Sequence, residues 1–470
     1  MKTLRLLHLA ALLALPAAVR AQNELSNFSA TGRGGVVNSF AEGYQAIGVN
    51  PANLGRNGQA KVSFTIGEVG VGVASRSLSK SFFERIIFER TESITPADKA
   101  ALQNGLADDD AFNLNVDATT LGLAVSLPNG LGSIAVSNRQ RISAHLALNR
   151  NAADVVVNGK SAASLQPYYP TTGAAALPPP PLSEFLDGTA IQMAWTSEYN
   201  IAYGLRVLDK PGFKLSAGVG YRYIHGIGIA DIRAEGRELT AYSSLAPVFS
   251  ADYGALVNSP DFNYKNGSVL SPVGSGHGAD LGLSAEIGKF LQLSASLTDV
   301  GTMTWTSNVV TATNQQLQPT SATGIDTYDV LKEVLKQFDT DEQNIFEYQA
   351  QQKRSASLPA KLRLGVGFRL SSLFEAGVDF TAPLNKVSGN LTAPFVGLGL
   401  DFKPTGWLRL STGVSGGAGY GTGVPLGITL VTPIWEAGIS SRDVTGYFSE
   451  KAPYYSLGLG FLRFKIGGQN

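Results

Sequence analysis

Four histidines and no cysteine bound the chemistry open to this chain of 470 residues. Without a thiol there is no cysteine nucleophile, no thiolate metal site and no disulfide framework. His8 lies in an N-terminal leader, while His145, His225 and His277 fall on three separate segments. A serine hydrolase needs a base oriented on its nucleophile. His145 instead has Arg139 and Arg141 as neighbours, which suits a solvated or paired imidazole better than a catalytic one. Gly274-Ser275-Gly276-His277-Gly278 follows no strand and opens no helix in the sequence pattern, so it does not read as a phosphate cradle. Asp108-Asp109-Asp110 lacks the spacing of a calcium loop and reads as a solvated acidic loop. The chain is therefore expected not to be an enzyme and to carry no cofactor or resident metal.

The composition narrows the class. Only 16% of residues are charged and 53 are glycine, against about 25% charge and about 7% glycine in soluble domains. Lys2 and Arg5 precede an apolar run from Leu6 to Val19, and Val19-Arg20-Ala21 offers small residues where a signal peptidase cuts. Residues 1–21 are thus expected to be a signal peptide cleaved after Ala21, too short in its apolar part to span a bilayer. Its removal takes the basic count from 37 to 34 against 37 acidic residues, which argues against nucleic acid as a partner.

No later stretch holds the roughly 18 consecutive apolar residues of a membrane helix. What recurs is a period of two. In 361–370 the even positions Leu362, Leu364, Val366, Phe368 and Leu370 are apolar, while the odd ones are Lys361, Arg363, Gly365, Gly367 and Arg369. The same split marks 278–287, 291–297 and 393–403, as half-exposed strands require. Fourteen such segments can be drawn: 61–75, 117–127, 132–148, 189–207, 213–231, 278–287, 291–309, 361–370, 373–383, 393–403, 407–416, 424–431, 434–442 and 454–466. Tight turns follow every even strand and long connections follow the odd ones. That alternation of short turns and long external loops belongs to an outer-membrane barrel. A soluble β-sandwich or propeller would alternate along its strands, but it does not account for the alternating connections. The expected fold is all-β, a transmembrane antiparallel β-barrel of about fourteen strands over 61–470, in the bacterial outer membrane.

Parity also assigns the two faces. With the apolar set on lipid, the lumen receives Arg139, Arg141, Arg222, Arg363, Arg369 and Arg409, opposed by Asp280, Glu286, Glu375, Asp379 and Asp401. Mixed signs favour structural ion pairs over a selective ring, which would carry one sign. Glycines such as Gly218, Gly282, Gly365 and Gly397 fall on the same parity and leave room in the lumen. Trp407 and Trp435 sit by short turns, where an interfacial girdle belongs, and Trp305, Tyr221 and Tyr223 fall toward the other end. Tyr455, Leu457, Leu459 and Phe461 alternate cleanly until the phase changes at Leu462, Phe464 and Ile466, a bulge or an early strand end. In the loops, Phe82, Phe83, Ile86 and Ile87 form an apolar helical stripe, as do Leu331, Val334, Leu335 and Phe338. Each either packs its loop against the rim or shapes a ligand-capture groove. Thr95-Pro96-Ala97-Asp98 reads as a capping box with proline at the first helical position.

Residues 22–60 lack alternation and are rich in turn formers, ending in Asn50-Pro51-Ala52-Asn53-Leu54-Gly55. They begin at the short-turn end and are expected to fold back as an N-terminal plug. A glycine-rich mature N-terminus, Asn50-Pro51-Ala52 just before the first strand and about fourteen strands around a narrow polar lumen together resemble the FadL-like outer-membrane proteins. The chain looks closest to an uncharacterised Bacteroidota branch of them. The resemblance implies passive uptake of small hydrophobic compounds, with Asn50, Pro51 and Ala52 as the hatch motif and Phe82, Phe83, Ile86 and Ile87 as a capture surface. The alternative it leaves open is a non-conducting scaffold or shuttle for secreted or surface proteins. Expected partners are outer-membrane lipid and lipopolysaccharide, with a small hydrophobic ligand or a surface protein besides.

Overall fold

In the computed structural model, residues 27–56, 58–108, 111–170, 175–329, 345–418 and 421–467 are described. The leader, Asp109, Asp110 and the stripe at Leu331, Val334, Leu335 and Phe338 lie outside them. Fourteen antiparallel strands form the wall: β1 (Val62–Ala74), β2 (Phe112–Ser126), β3 (Ser133–Ala147), β4 (Ala190–Lys210), β5 (Phe213–Glu235), β6 (Gly274–Ile287), β7 (Leu291–Trp305), β8 (Lys361–Arg369), β9 (Phe374–Pro383), β10 (Phe395–Thr405), β11 (Leu408–Gly417), β12 (Leu426–Val431), β13 (Trp435–Ser441) and β14 (Tyr454–Ile466). Each pairs with its sequence neighbour in the wall, and β14 pairs back onto β1, from Val62↔Ile466 to Ala74↔Tyr454. Closure leaves the wall without an unpaired edge.

Register separates the faces. Leu281 (55% exposed), Leu283 (53%) and Leu398 (47%) point outward, whereas Arg222, Arg363, Asp280, Asp379 and Asp401 are buried inside. An apolar exterior and charged interior invert the soluble pattern, as lipid on the outside demands. No described helix is long and apolar enough to cross a membrane.

β-bulges interrupt this parity in several strands, and two of them bear on the sequence reading. In β14 the pairing passes from Arg463↔Glu436 to Gly460↔Gly438, so Phe461 and Leu462 both face outward. That is the phase change seen in the sequence. In β7 the pairing passes from Val300↔Ala279 to Leu297↔Leu281, and Asp299 takes φ 61. Every residue beyond the bulge changes face relative to simple alternation. Trp305 consequently turns inward and is buried, not set in an outward girdle.

At the long-loop end the sheet grows beyond the wall. Glu238–Leu245 folds back on β5, Val309–Ala312 pairs with it, Tyr348–Ala350 pairs with that strand, and Arg354–Ser357 pairs with the end of β7. Helices cover the outward face of these extensions. After a helical turn α1 (Phe28–Gly32) at the N-terminus, they are α2 (Lys80–Phe88), α3 (Pro96–Leu106), α4 (Arg150–Asn158) and the short α5 (Leu182–Phe185). Ser79, Thr95 and Asn149 cap α2 to α4, each accepting the N–H three residues on. One continuous apolar cluster joins α2 to α5 with Leu146, Ile191, Ala230, Ile232 and Val310.

Candidate functional site

The N-terminal segment lies against the inward face of the wall. Asn27 caps α1, accepting from Ala30 N at 3.1 Å, and Phe28 lies so close to the wall that a Cβ on Gly438 or Gly460 would come within 2.5 Å of its ring. Arg33 pairs with Asp401 at 3.2 Å. The N–H groups of Val37 and Asn38 both donate to one carboxylate oxygen of Asp379, at 2.7 and 2.6 Å. Tyr44 donates to Glu68, and Arg463 donates to Gln45 at 2.7 Å.

The Asn50-Pro51-Ala52 turn lies against β4 to β7. Asn50 caps the 3₁₀ turn Pro51–Gly55, accepting from Ala52 N, while its amide nitrogen donates to the carbonyls of Leu283 (3.0 Å) and Ala295 (3.3 Å). Arg56 donates to the hydroxyls of Ser284 (2.8 Å) and Ser294 (3.0 Å). Close approach requires glycine in the wall. A Cβ on Gly282 would stand 2.1 Å from the Asn50 side-chain oxygen, and one on Gly218 or Gly204 would stand 2.3 Å from the Pro51 backbone. Sequence parity sends these glycines inward; the side chains they accommodate carry no signal in the wall strands.

Toward the long loops from this turn, the inward faces of β2 to β7 carry a layer of interlocked charges. Arg222 reaches Glu198 (3.1 Å), Asp280 (2.6 Å) and Asp299 (2.5 Å). Arg141 bridges Glu198 and Asp299 at 3.2 and 3.3 Å, and Arg139 holds Asp117 through two nitrogens. Burial makes each charge costly unless it is paired in this way. Gly48 lies directly beneath, since a Cβ there would be 3.1 Å from Arg139 and 3.4 Å from Arg222. A cavity of about 70 Å³ touches the layer, with Asp117, Arg141, Glu198 and Asp299 on one side and Ile224, Met303, Trp305 and Leu358 on the other.

A second cavity, about 210 Å³ and mostly apolar, lies between α2 and the outward face of the wall, lined by Ile86, Ile87, Val73, Phe112, Leu146 and Met193 among others. Arg90 and Asp329, joined at 2.6 Å, also line it. Beside it the first and fourth long loops are clamped together. Arg85 stacks on Tyr328 at 4.3 Å, and both donate to Asp98, at 2.9 and 2.7 Å. The Thr95 hydroxyl, then Tyr328 and Arg85, hold the Asp98 carboxyl below its ordinary range. Burial, and then Asp98 itself, push the Tyr328 phenol up to about 12.

With this geometry in place, comparison assigns a family. The model of a family of unknown function, DUF5723, matches residues 51–434. The chain belongs to DUF5723. No curated protein matches it. Among solved structures, the Pseudomonas putida toluene transporter TodX is similar at 10% identity and TM-score 0.42, over 96% of this chain and 100% of that one. The Ralstonia pickettii toluene transporter TbuX is similar at 12% identity and TM-score 0.39, over 96% and 99%. A Pseudomonas aeruginosa FadL homologue is similar at 11% identity and TM-score 0.41, over 96% and 100%.

In this DUF5723 chain Asn50, Pro51 and Ala52 come together in the lumen. The α2 stripe divides. Ile86 and Ile87 line the apolar cavity, whereas Phe83 stacks on Tyr455 (5.7 Å) and Phe82 packs edge-on to Tyr328 (5.8 Å), fastening the helix to wall and loop. The histidines remain apart: His145 bonds Asn113 at 2.8 Å inside the wall, while His225 and His277 register on the outward face. No group of three metal-ligating side chains occurs among the described residues. Sequence parity put Asp379 in the lumen as a partner in an ion pair, whereas its partners in the N-terminal segment are the backbone N–H groups of Val37 and Asn38, which no side-chain pattern announces.

Proposed function

We propose that this DUF5723 chain is an outer-membrane channel for small hydrophobic compounds, with the segment up to residue 60 acting as a hatch that Asn50-Pro51-Ala52 seats in the wall. One observation carries the reading: a segment that belongs to no wall strand fits against a lumen face whose glycines make space for it. A barrel needing only a rigid core could fill that space with wall side chains. The segment is held by hydrogen bonds and ion pairs, each worth about 1–3 kcal/mol, and by apolar contacts such as Tyr44, Ile47 and Leu54 against Ala124, Ala135 and Ala202, but by no strand pairing, so it can leave without unzipping a strand. The apolar cavity under α2 supports the hydrophobic class, since dry cavities of about 150 Å³ already take benzene.

The test is a tether. A Cβ on Gly377 would lie 2.8 Å from Val36 Cγ1, close to what a disulfide needs, and the chain has no native cysteine to interfere. Gram-negative cells expressing Val36→Cys/Gly377→Cys should take up radiolabelled ethylbenzene above empty-vector cells when reduced, and fall to that background when oxidised. No uptake over background in the wild type overturns the channel; uptake indifferent to oxidation overturns the hatch.

A further inference from the structure

The outward face of the wall changes chemistry within one rung. Across β5 to β8, Val219, Leu281, Leu297 and Leu362 register side by side, and Ile201, Tyr221, Ala279 and Val300 follow on the next rung toward the long loops. The following rung is Tyr199, Tyr223, His277, Thr302 and Ser357, and the one after it is Ser197, His225, Ser275, Thr304 and Ser355. No aliphatic side chain, carboxylate, lysine or arginine stands in these two rungs. Tyr199, Tyr221 and His277 are exposed.

The rings form one connected group. Tyr221 Oη lies 2.6 Å from His277 Nδ1, which leaves Nε2 as the nitrogen not engaged by that hydroxyl. Tyr223 sits between the imidazoles, its ring 5.3 Å from that of His277 and 5.1 Å from that of His225, and Tyr199 packs on His225 at 5.4 Å. Tyrosine belongs at a membrane boundary, having one apolar and one wet end. Two imidazoles and a row of hydroxyls exceed what anchoring requires.

We propose that this patch binds the phosphorylated sugar headgroup of an outer-leaflet glycolipid. The apolar rungs run into it without a gap, so the molecule lying against those rungs presents its headgroup at this height. Imidazolium and hydroxyl donors suit phosphate oxygens, and flat aromatic rings suit the C–H faces of a sugar. The inference rests on the membrane placement proposed above but not on transport.

Purified full-length protein is equilibrated with bisphosphorylated lipid A at pH 6, and the retained lipid is counted by native mass spectrometry. The wild type should retain about tenfold more than the double variant His225→Ala/His277→Ala, the factor lost with one charge-assisted contact. His277→Gln, which keeps a polar side chain but no charge, should fall between them. Equal retention by wild type and variant overturns the proposal, as does an equal loss with dephosphorylated lipid A or a dimer that the substitutions dissociate. Ethylbenzene uptake by the double variant separates this site from the channel, since uptake should persist when lipid retention fails.

Discussion

At the scale of single residues, the lumen is decided by side chains that are missing. Gly282 has ordinary extended backbone, so its role is space and not backbone freedom: the Asn50 amide occupies the volume a Cβ would take. Strand pairing across Gly282↔Ser296 and Gly282↔Gly218 does not require glycine. Gly282→Val should therefore leave the barrel folded and dislodge the N-terminal segment. Valine cannot yield, since β-branched side chains are stiff, and overpacking of this kind costs about 1–3 kcal/mol. Trypsin cleavage after Arg33 and Arg56 should rise about tenfold, while the heat-modifiable band of the folded barrel is unchanged. Gly406→Ala is the matched control, because nothing lies within 4 Å of the added Cβ. A protected segment in Gly282→Val would show that the close contact is not what seats it.

Among the elements, legibility follows exposure of one face to lipid. The fourteen wall strands could be read from alternation because their outward side chains are apolar and their inward ones are small or charged. The extensions of β5 could not, because α2 to α5 cover their outward face and a second apolar cluster with Ile227, Ile229 and Tyr242 packs on the inward one. With both faces buried the period of two disappears. Helix α4 was hidden differently: it lies in a long connection, and Val155, Val156 and Val157 are β-branched residues that favour strands, yet Asn149 caps a helix there. Bulges were legible only as a lost phase, as in β14, or not at all, as at Asp299. The clamp between α2, α3 and the fourth long loop was also invisible, because Tyr328 and Asp98 are distant in sequence. Its pH dependence follows from the two shifts. Asp98 has a depressed pKa, so its contribution is full above the unfolded value near 3.9 and is lost as pH falls through the folded one. Tyr328 is raised to about 12, so its contribution is full below about 10 and is lost as pH climbs from there. Protection of the amides in α2 and α3, measured relative to the intrinsic exchange rate at each pH, should be greatest between these limits. Tyr328→Phe keeps the ring under Arg85 but removes the hydroxyl, and should abolish the alkaline loss of protection; a persistent loss would assign it to another group.

For the whole molecule, two groups of residues occupy the inward face of the wall, the N-terminal segment and the charged layer, and they differ in what removes them. The N-terminal segment is covalently attached at one end and can be deleted. The layer of Arg139, Arg141, Arg222, Asp117, Glu198, Asp280 and Asp299 belongs to the wall, and β2 to β7 all contribute to it. Its ion pairs cross-link these six neighbouring strands and place both signs at one height. Deleting residues 27–56 should thus raise conductance in a planar bilayer without making a selective pore, since selectivity needs a ring of one sign. The reversal potential in a KCl gradient should stay near zero for the deleted barrel. A strongly anion- or cation-selective reversal potential would mean that one sign is freed when Gly48 no longer lies beneath Arg139 and Arg222, and that the segment completes the charge balance of the wall as well as occupying its space.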